Sequence, residues 1–223
     1  MRLRKRKNMD SRLVAVAHLY EQDAQQNKGR WLTIYKKEKL GLEIGCGKGR
    51  FVTSLAKRCP DTLFVALERE AAALLLTAEK AEEAALDNLR VSLFDAAELD
   101  LLFAPGEVAC LYLNFSDPWQ KKRYAKRRLT HRGFLAMYRR ILAPGGKLFF
   151  KTDNAALFEF SVAEFCAAGF SIARVSVDLH KTGLDNIETE YEERFSAQGC
   201  PIYFLEAHNS PFDPDVPMPQ QAF

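Results

Sequence analysis

The chain has 223 residues, 48% hydrophobic and 27% charged, with 32 Lys and Arg against 29 Asp and Glu for a net charge of +3. That is the ordinary soluble range, at a length that supports a full core. Five scattered cysteines with no CxxC pair exclude a disulfide framework or zinc site, and no apolar run approaches the ~20 residues of a membrane span.

The N-terminus carries Arg2, Arg4, Lys5, Arg6 and Lys7 with no apolar stretch behind them, which argues against a signal peptide and for a cytoplasmic location. Residues 1–40 read as a basic extension, helical over 11–25 and irregular afterwards. From residue 40 the pattern changes to short apolar runs alternating with longer helix-like segments. Residues 41–44, 62–67, 89–94, 108–115 and 147–152 are predicted strands; 50–58, 71–85, 129–142 and 155–168 are predicted helices. Pro144-Gly145-Gly146 reads as a stop and turn before the fifth strand. Residues 170–179 and 201–207 read as two further strands joined by a long polar loop, and a proline-rich tail occupies 209–223. The alternation predicts an α/β domain over 41–208: a mostly parallel sheet of about seven strands with helices on both faces.

Charge is unevenly spread. Residues 61–107 hold eleven acids against three bases, whereas 118–152 hold eleven bases and no acid. A chain polarised this way can present a basic face to nucleic acid without being basic overall.

Two strand ends carry the candidate chemistry. Residues 42–51 run from a strand through Gly45, Gly47 and Gly49 into a helix. The G-x-G-x-G spacing is one residue shorter than a dinucleotide fingerprint, and Glu43 is an awkward neighbour for a pyrophosphate. Glu68 closes the second strand about 20 residues after Gly47, the separation at which an acid accepts from ribose hydroxyls. Asp95 closes the third strand, within reach of an adenine edge. Three carboxylates around glycines suit a ligand with ribose, adenine and a cation but no phosphate, such as S-adenosylmethionine. Asp117-Pro118-Trp119 follows the fourth strand beside the expected switch point, and Lys121, Lys122, Arg123, Lys126, Arg127 and Arg128 follow at once.

Four ordered motifs carry a resemblance: the glycine loop, residues 114–128, Lys151-Thr152-Asp153-Asn154, and residues 189–195. Together they resemble the tRNA (guanine-N7-)-methyltransferase family of Rossmann-like class I S-adenosylmethionine-dependent enzymes, most closely the single-chain bacterial form. The resemblance spans about residues 29–206. It implies a class I fold, tRNA as substrate and S-adenosylmethionine as cofactor, with transfer to N7 of a variable-loop guanosine. It makes Glu43, Gly45, Gly47, Glu68, Asp95 and Asp117 cofactor contacts, and Asp117 the catalytic residue. Lys121, Asp153, Thr189, Glu190, Tyr191 and Glu192 match substrate positions, with Glu192 expected to accept from the guanine edge. Lys122, Arg123, Lys126, Arg127 and Arg128 are expected on the RNA backbone, helped by residues 2–7. No metal and no obligatory protein partner is expected, and the chain is read as a monomer or homodimer. Gln120 and Tyr124 depart from the family's frequent Pro and His. The alternatives are a methyltransferase acting on an exocyclic amine, which the single proline after Asp117 disfavours, and an RNA-binding module with a vestigial cofactor pocket.

Overall fold

A computed structural model describes residues 9–210. The basic arm at 2–7 and the tail from 211 onward lie outside the described residues. Within them the elements run α1 (Met9–Ala15), α2 (Trp31–Tyr35), β1 (Lys39–Ile44), α3 (Arg50–Arg58), β2 (Thr62–Glu68), α4 (Ala71–Glu83), β3 (Leu89–Leu93), α5 (Leu99–Leu102), β4 (Val108–Asn114), α6 (Arg132–Ile141), β5 (Leu142–Thr152), α7 (Ala155–Ala167), β6 (Ser171–Ser176), α8 (Glu190–Ser196) and β7 (Tyr203–His208).

The seven strands form one sheet in the order β3-β2-β1-β4-β5-β7-β6. β1 to β5 pair in parallel, and β7 lies antiparallel between β5 and β6. Strand order reverses between β1 and β4, so the loops after those strands diverge and leave a crevice at their carboxyl ends. The parallel strands read as continuous apolar runs because both faces are covered. In β2, Leu63, Val65 and Leu67 join the core with α6 and α7, while Phe64 and Ala66 join the core with α3 and α4.

Three local departures from the sequence expectation have physical causes. The predicted helix over 11–25 breaks after α1 into two short 3₁₀ turns, Ala17–Leu19 and Ala24–Asn27. Pairing with the open edge of β3 replaces the helical ladder: Tyr20 bridges Val91, Glu21 N–H donates to Val91 O at 2.9 Å, and Ser92 Oγ donates to Glu21 O at 3.1 Å. Pro144-Gly145-Gly146 is a bulge inside β5 rather than a stop before it. Gly145 takes φ +72° and donates to Asn209 O at 3.0 Å, and Asn209 N–H donates to Gly146 O at 2.8 Å, so the residue after β7 stitches the bulge into the sheet. The helix expected from 129 begins at Arg132, where His131 Nδ1 caps it by accepting from Gly133 N–H at 3.1 Å. Trp31 is fully buried on the short helix α2, with its indole N–H donating to Leu102 O at 2.9 Å.

Candidate active site at the carboxyl ends of the strands

A cavity of about 640 Å³ opens at the carboxyl ends of β1 to β4, and Glu68, Asp95 and Asp117 all line it. Ile44, Leu67, Phe94 and Phe134 supply apolar wall, and Lys126 and Arg127 also line it. Three acids well separated in the chain thus meet because each ends or follows a parallel strand.

The glycine loop, whose Gly45 lines this cavity, has all three glycines left-handed, at φ +77°, +58° and +81°. A Cβ on Gly45 or Gly47 would meet nothing within 4 Å, so these two leave open space for a ligand's approach. A Cβ on Gly49 would lie 2.5 Å from the Thr77 side chain; this glycine serves the packing of α3 on α4. Thr77 Oγ1 also donates to Gly47 O at 3.1 Å, holding the loop to α4.

Glu68 is fixed by three backbone donors: Gly47 N–H at 2.9 Å on one oxygen, Arg69 N–H at 2.7 Å and Glu70 N–H at 3.1 Å on the other. A carboxylate has about four lone-pair sites, so roughly one remains for a ligand hydroxyl. Asp95 accepts from Ala97 N–H at 2.9 Å and sits 3.7 Å from Arg69. Asp117 is exposed, and its carboxylate makes no hydrogen bond or ion pair with the other described residues.

Glu43 departs from the expected arrangement. It is 1% exposed and does not line the cavity; Asn114, which does, donates to its Oε1 at 2.8 Å, while Oε2 has no partner among the described residues. Burial pushes its carboxyl up to about 7, against the pull of Asn114's hydrogen bond and Lys151's charge. A raised carboxyl pKa favours the fold while the group is protonated, and that contribution fades as pH climbs from about 4.5 to about 7. Glu43→Gln is therefore expected to be more stable than the parent by about 3 kcal/mol above pH 7, with the gap closing below pH 4.5. Urea unfolding of both chains across that range checks this; a gap independent of pH contradicts it.

The segment 189–195 forms α8, capped by Thr189 in a reciprocal capping box with Glu192. Glu192 is fully buried, and its oxygens are taken by Lys151 Nζ at 2.6 Å, Asn186 Nδ2 at 2.6 Å and His180 Nε2 at 3.2 Å. The expected free acceptor for a guanine edge is thus an anchor: it fastens α8 to β5. Glu190 pairs with Lys80, and Glu193 with Arg50. Tyr191 is 44% exposed, donates to Asp153 Oδ2 at 3.3 Å and packs on Phe115 with ring centroids 5.0 Å apart. Phe115 lines the acidic cavity, so its ring joins Asp153 and Tyr191 to that cavity's edge. Thr189 and Glu192 are spent on the start of α8 rather than offered to a substrate.

Among the cations, Lys121, Lys122, Arg123, Lys126 and Arg127 are exposed as expected, on a stretch that coils as a 3₁₀ helix, Lys122–Arg127. Arg127 lies 5.0 Å from the Trp119 ring and 5.0 Å from the Tyr124 ring. Arg128 is half-buried and turned the other way, donating to Pro118 O at 2.9 Å and Trp119 O at 3.2 Å. Sequence reading missed three contributors: Asn114, Phe115 and Lys151. All three stand in the motifs that carry the resemblance, but nothing in their neighbours signals these contacts, least of all a buried lysine.

A family model described as putative methyltransferase matches residues 37–205. The tRNA (guanine-N(7)-)-methyltransferase of Geobacillus kaustophilus (strain HTA426) is 44% identical over 213 residues, covering 95% of this chain and 98% of that protein. The protein of the same description from Brevibacillus brevis (strain 47 / JCM 6285 / NBRC 100599) is 48% identical and covers 81% of this chain and 86% of its own length. Among solved structures, 16S rRNA methyltransferase KamB superposes with a TM-score of 0.63 at 16% identity, covering 81% of this chain and 93% of that one. Geranyl diphosphate C-methyltransferase from Streptomyces coelicolor A3(2), in complex with S-adenosyl-L-homocysteine, superposes at 0.55 and 15% identity, covering 77% and 70%. These two are likenesses of fold, that of the Rossmann-like class I methyltransferases.

Proposed function

We propose, from the premise that the chain belongs to the tRNA (guanine-N7-)-methyltransferase family, that its acceptor is the variable-loop guanosine of elongator tRNA. The chain transfers a methyl group from S-adenosylmethionine to N7 of a guanosine in tRNA. The observation that carries the site assignment is the meeting of Glu68, Asp95 and Asp117 on one cavity that Lys126 and Arg127 also line.

The residues present fit the donor. Gly45 and Gly47 leave room for it, Glu68 has acceptor capacity for a ribose hydroxyl, and Asp95 lines the same cavity for the adenine edge. When bound, the donor supplies an electrophilic methyl group on a sulfonium. Glu43 stands behind this wall and acts through Asn114.

Guanine N7 has a free lone pair and no proton, so no general base is needed. The protein's task is alignment and charge placement. Asp117, unpaired at the cavity's edge, offsets positive charge growing on the purine. Asp153 and Tyr191 bound the acceptor side, with Thr189, Glu190 and Glu192 setting α8 in place and Lys121 reaching the substrate from the loop after Trp119. Guanine N7 lies on the major-groove edge, which is deep and narrow in RNA, so the base must come from an irregular region or leave its stack.

Lys122, Arg123, Lys126 and Arg127 hold the phosphates. Log affinity for tRNA should fall with log salt by roughly 0.7–0.9 per phosphate neutralised, and Lys122→Ala with Arg123→Ala should flatten that slope by one to two such steps. The reaction takes place in the cytoplasm, on a monomer or homodimer; among the described residues no helix is long and apolar enough to cross a membrane. Incubating unmodified tRNA transcripts with labelled donor and mapping the nucleosides tests the acceptor. Label in 7-methylguanosine of the variable loop is expected; label on an exocyclic amine, or at another position, overturns it.

A further inference from the structure

We propose that Arg128 is a positioning residue for methyl transfer, acting through the backbone of the Asp117 loop, and that it takes no part in gripping RNA. The inference rests on the reading that Asp117 works at the acceptor.

Six cations follow Trp119, and by composition they are alike. Their geometry separates one. Five are exposed, whereas Arg128 folds back beneath the loop. Its Nε donates to Pro118 O at 2.9 Å, its Nη2 donates to Trp119 O at 3.2 Å, and its guanidinium carbon lies 4.3 Å from the Phe160 ring on α7. Its own carbonyl accepts from His131 N–H at 2.9 Å, at the cap of α6. Arg128 therefore ties the loop after β4 to two helices of the core.

That loop needs tying. Phe115 and Trp119 are both non-glycine residues in the left-handed region, at φ +53° and +40°, and they bracket Asp117. Backbone of this kind persists only where its surroundings over-determine it. On the β4 side Phe115 N–H donates to Lys151 O at 2.8 Å. On the other side the two carbonyls held by Arg128 are those of the residues directly after Asp117. A planar guanidinium can donate to two neighbouring carbonyls at once, which a lysine ammonium does less well. Without that clamp the loop relaxes toward ordinary φ and carries the Asp117 carboxylate away from the cavity.

Arg128→Lys keeps the charge and loses the fork. It is expected to lower kcat about 10- to 100-fold, the scale on which a shift of about 1 Å acts, with KM for tRNA and the salt slope unchanged. In Arg128→Ala, millimolar methylguanidinium is expected to restore kcat several-fold. Combined with Asp117→Asn, Arg128→Lys should add little further loss, because both changes act through one carboxylate. A raised KM and a flatter salt slope at intact kcat would make Arg128 an RNA contact and overturn the proposal. So would wild-type kinetics in Arg128→Lys, or losses that multiply in the double variant. If Asp117→Asn alone keeps wild-type turnover, the reading of Asp117 fails instead, and the two failures are told apart. Unfolding midpoints of each variant separate a loosened loop from a loosened fold.

Discussion

Asp117→Asn is expected to lower kcat on tRNA about 100-fold while leaving tRNA affinity, salt dependence and the unfolding midpoint unchanged. Asn has the same shape, so only the charge is removed. A carboxylate roughly 5 Å from a growing unit charge, at an effective dielectric of about 20, interacts by ~3.3 kcal/mol. At about 1.4 kcal/mol per tenfold in rate, that sets a ceiling of roughly 250-fold. Part of the interaction is already made with the sulfonium in the ground state, and only the difference accelerates transfer. Stability should not move, because Asp117 is exposed and bonds to no other described residue. Single-turnover rates at saturating donor and tRNA measure the effect. A loss confined to donor affinity would make Asp117 a cofactor ligand alone.

Lys151→Met should cost about 3–5 kcal/mol of stability, the usual consequence of removing one partner from a buried ion pair. The side chains of Lys151 and Glu192 are 4% and 0% exposed, with 2.6 Å between their charged atoms. Burial pulls the Lys151 ammonium below its ordinary pKa, and Glu192 pulls it back. Removing the lysine leaves Glu192, whose side chain is 0% exposed, with His180, Asn186 and the start of its own helix. The double change Lys151→Met with Glu192→Leu should recover much of the stability, since a buried pair is often replaceable by apolar residues. It should not recover turnover, because α8 would lose the anchor that sets Tyr191 beside Asp153. Urea unfolding of the three chains, with tRNA methylation alongside, checks both halves. A Lys151→Met chain within about 1 kcal/mol of the parent would show the pair to be dispensable.

Parallel strands announce themselves in the sequence. Residues 62–67 and 108–115 are almost wholly apolar because helices cover both faces, and the acid that follows each run falls at a carboxyl end by topology alone. Glu68, Asp95 and Asp117 were legible for that reason. Long-range pairing was not. Lys151 and Glu192 are remote from each other in the chain, and neither neighbourhood distinguishes a buried charge from a solvated one. Glu43 was read as a wall of the cavity, but strand alternation turns it inward behind Asn114. Arg128 was hidden in a basic run, where direction rather than composition sets the role. The break after Ala15 was equally silent, since edge pairing of Tyr20 depends on Val91, a partner far along the chain.

Amide hydrogen exchange, with and without S-adenosylmethionine, tests the central claim most directly. Binding in the acidic cavity should slow exchange at residues 45–49, 67–70, 94–97 and 115–119, the segments that contribute its lining residues. Slowing instead around the second cavity, of about 430 Å³ between Phe51, Tyr112, Phe149 and Leu184, with 45–49 unchanged, would contradict it.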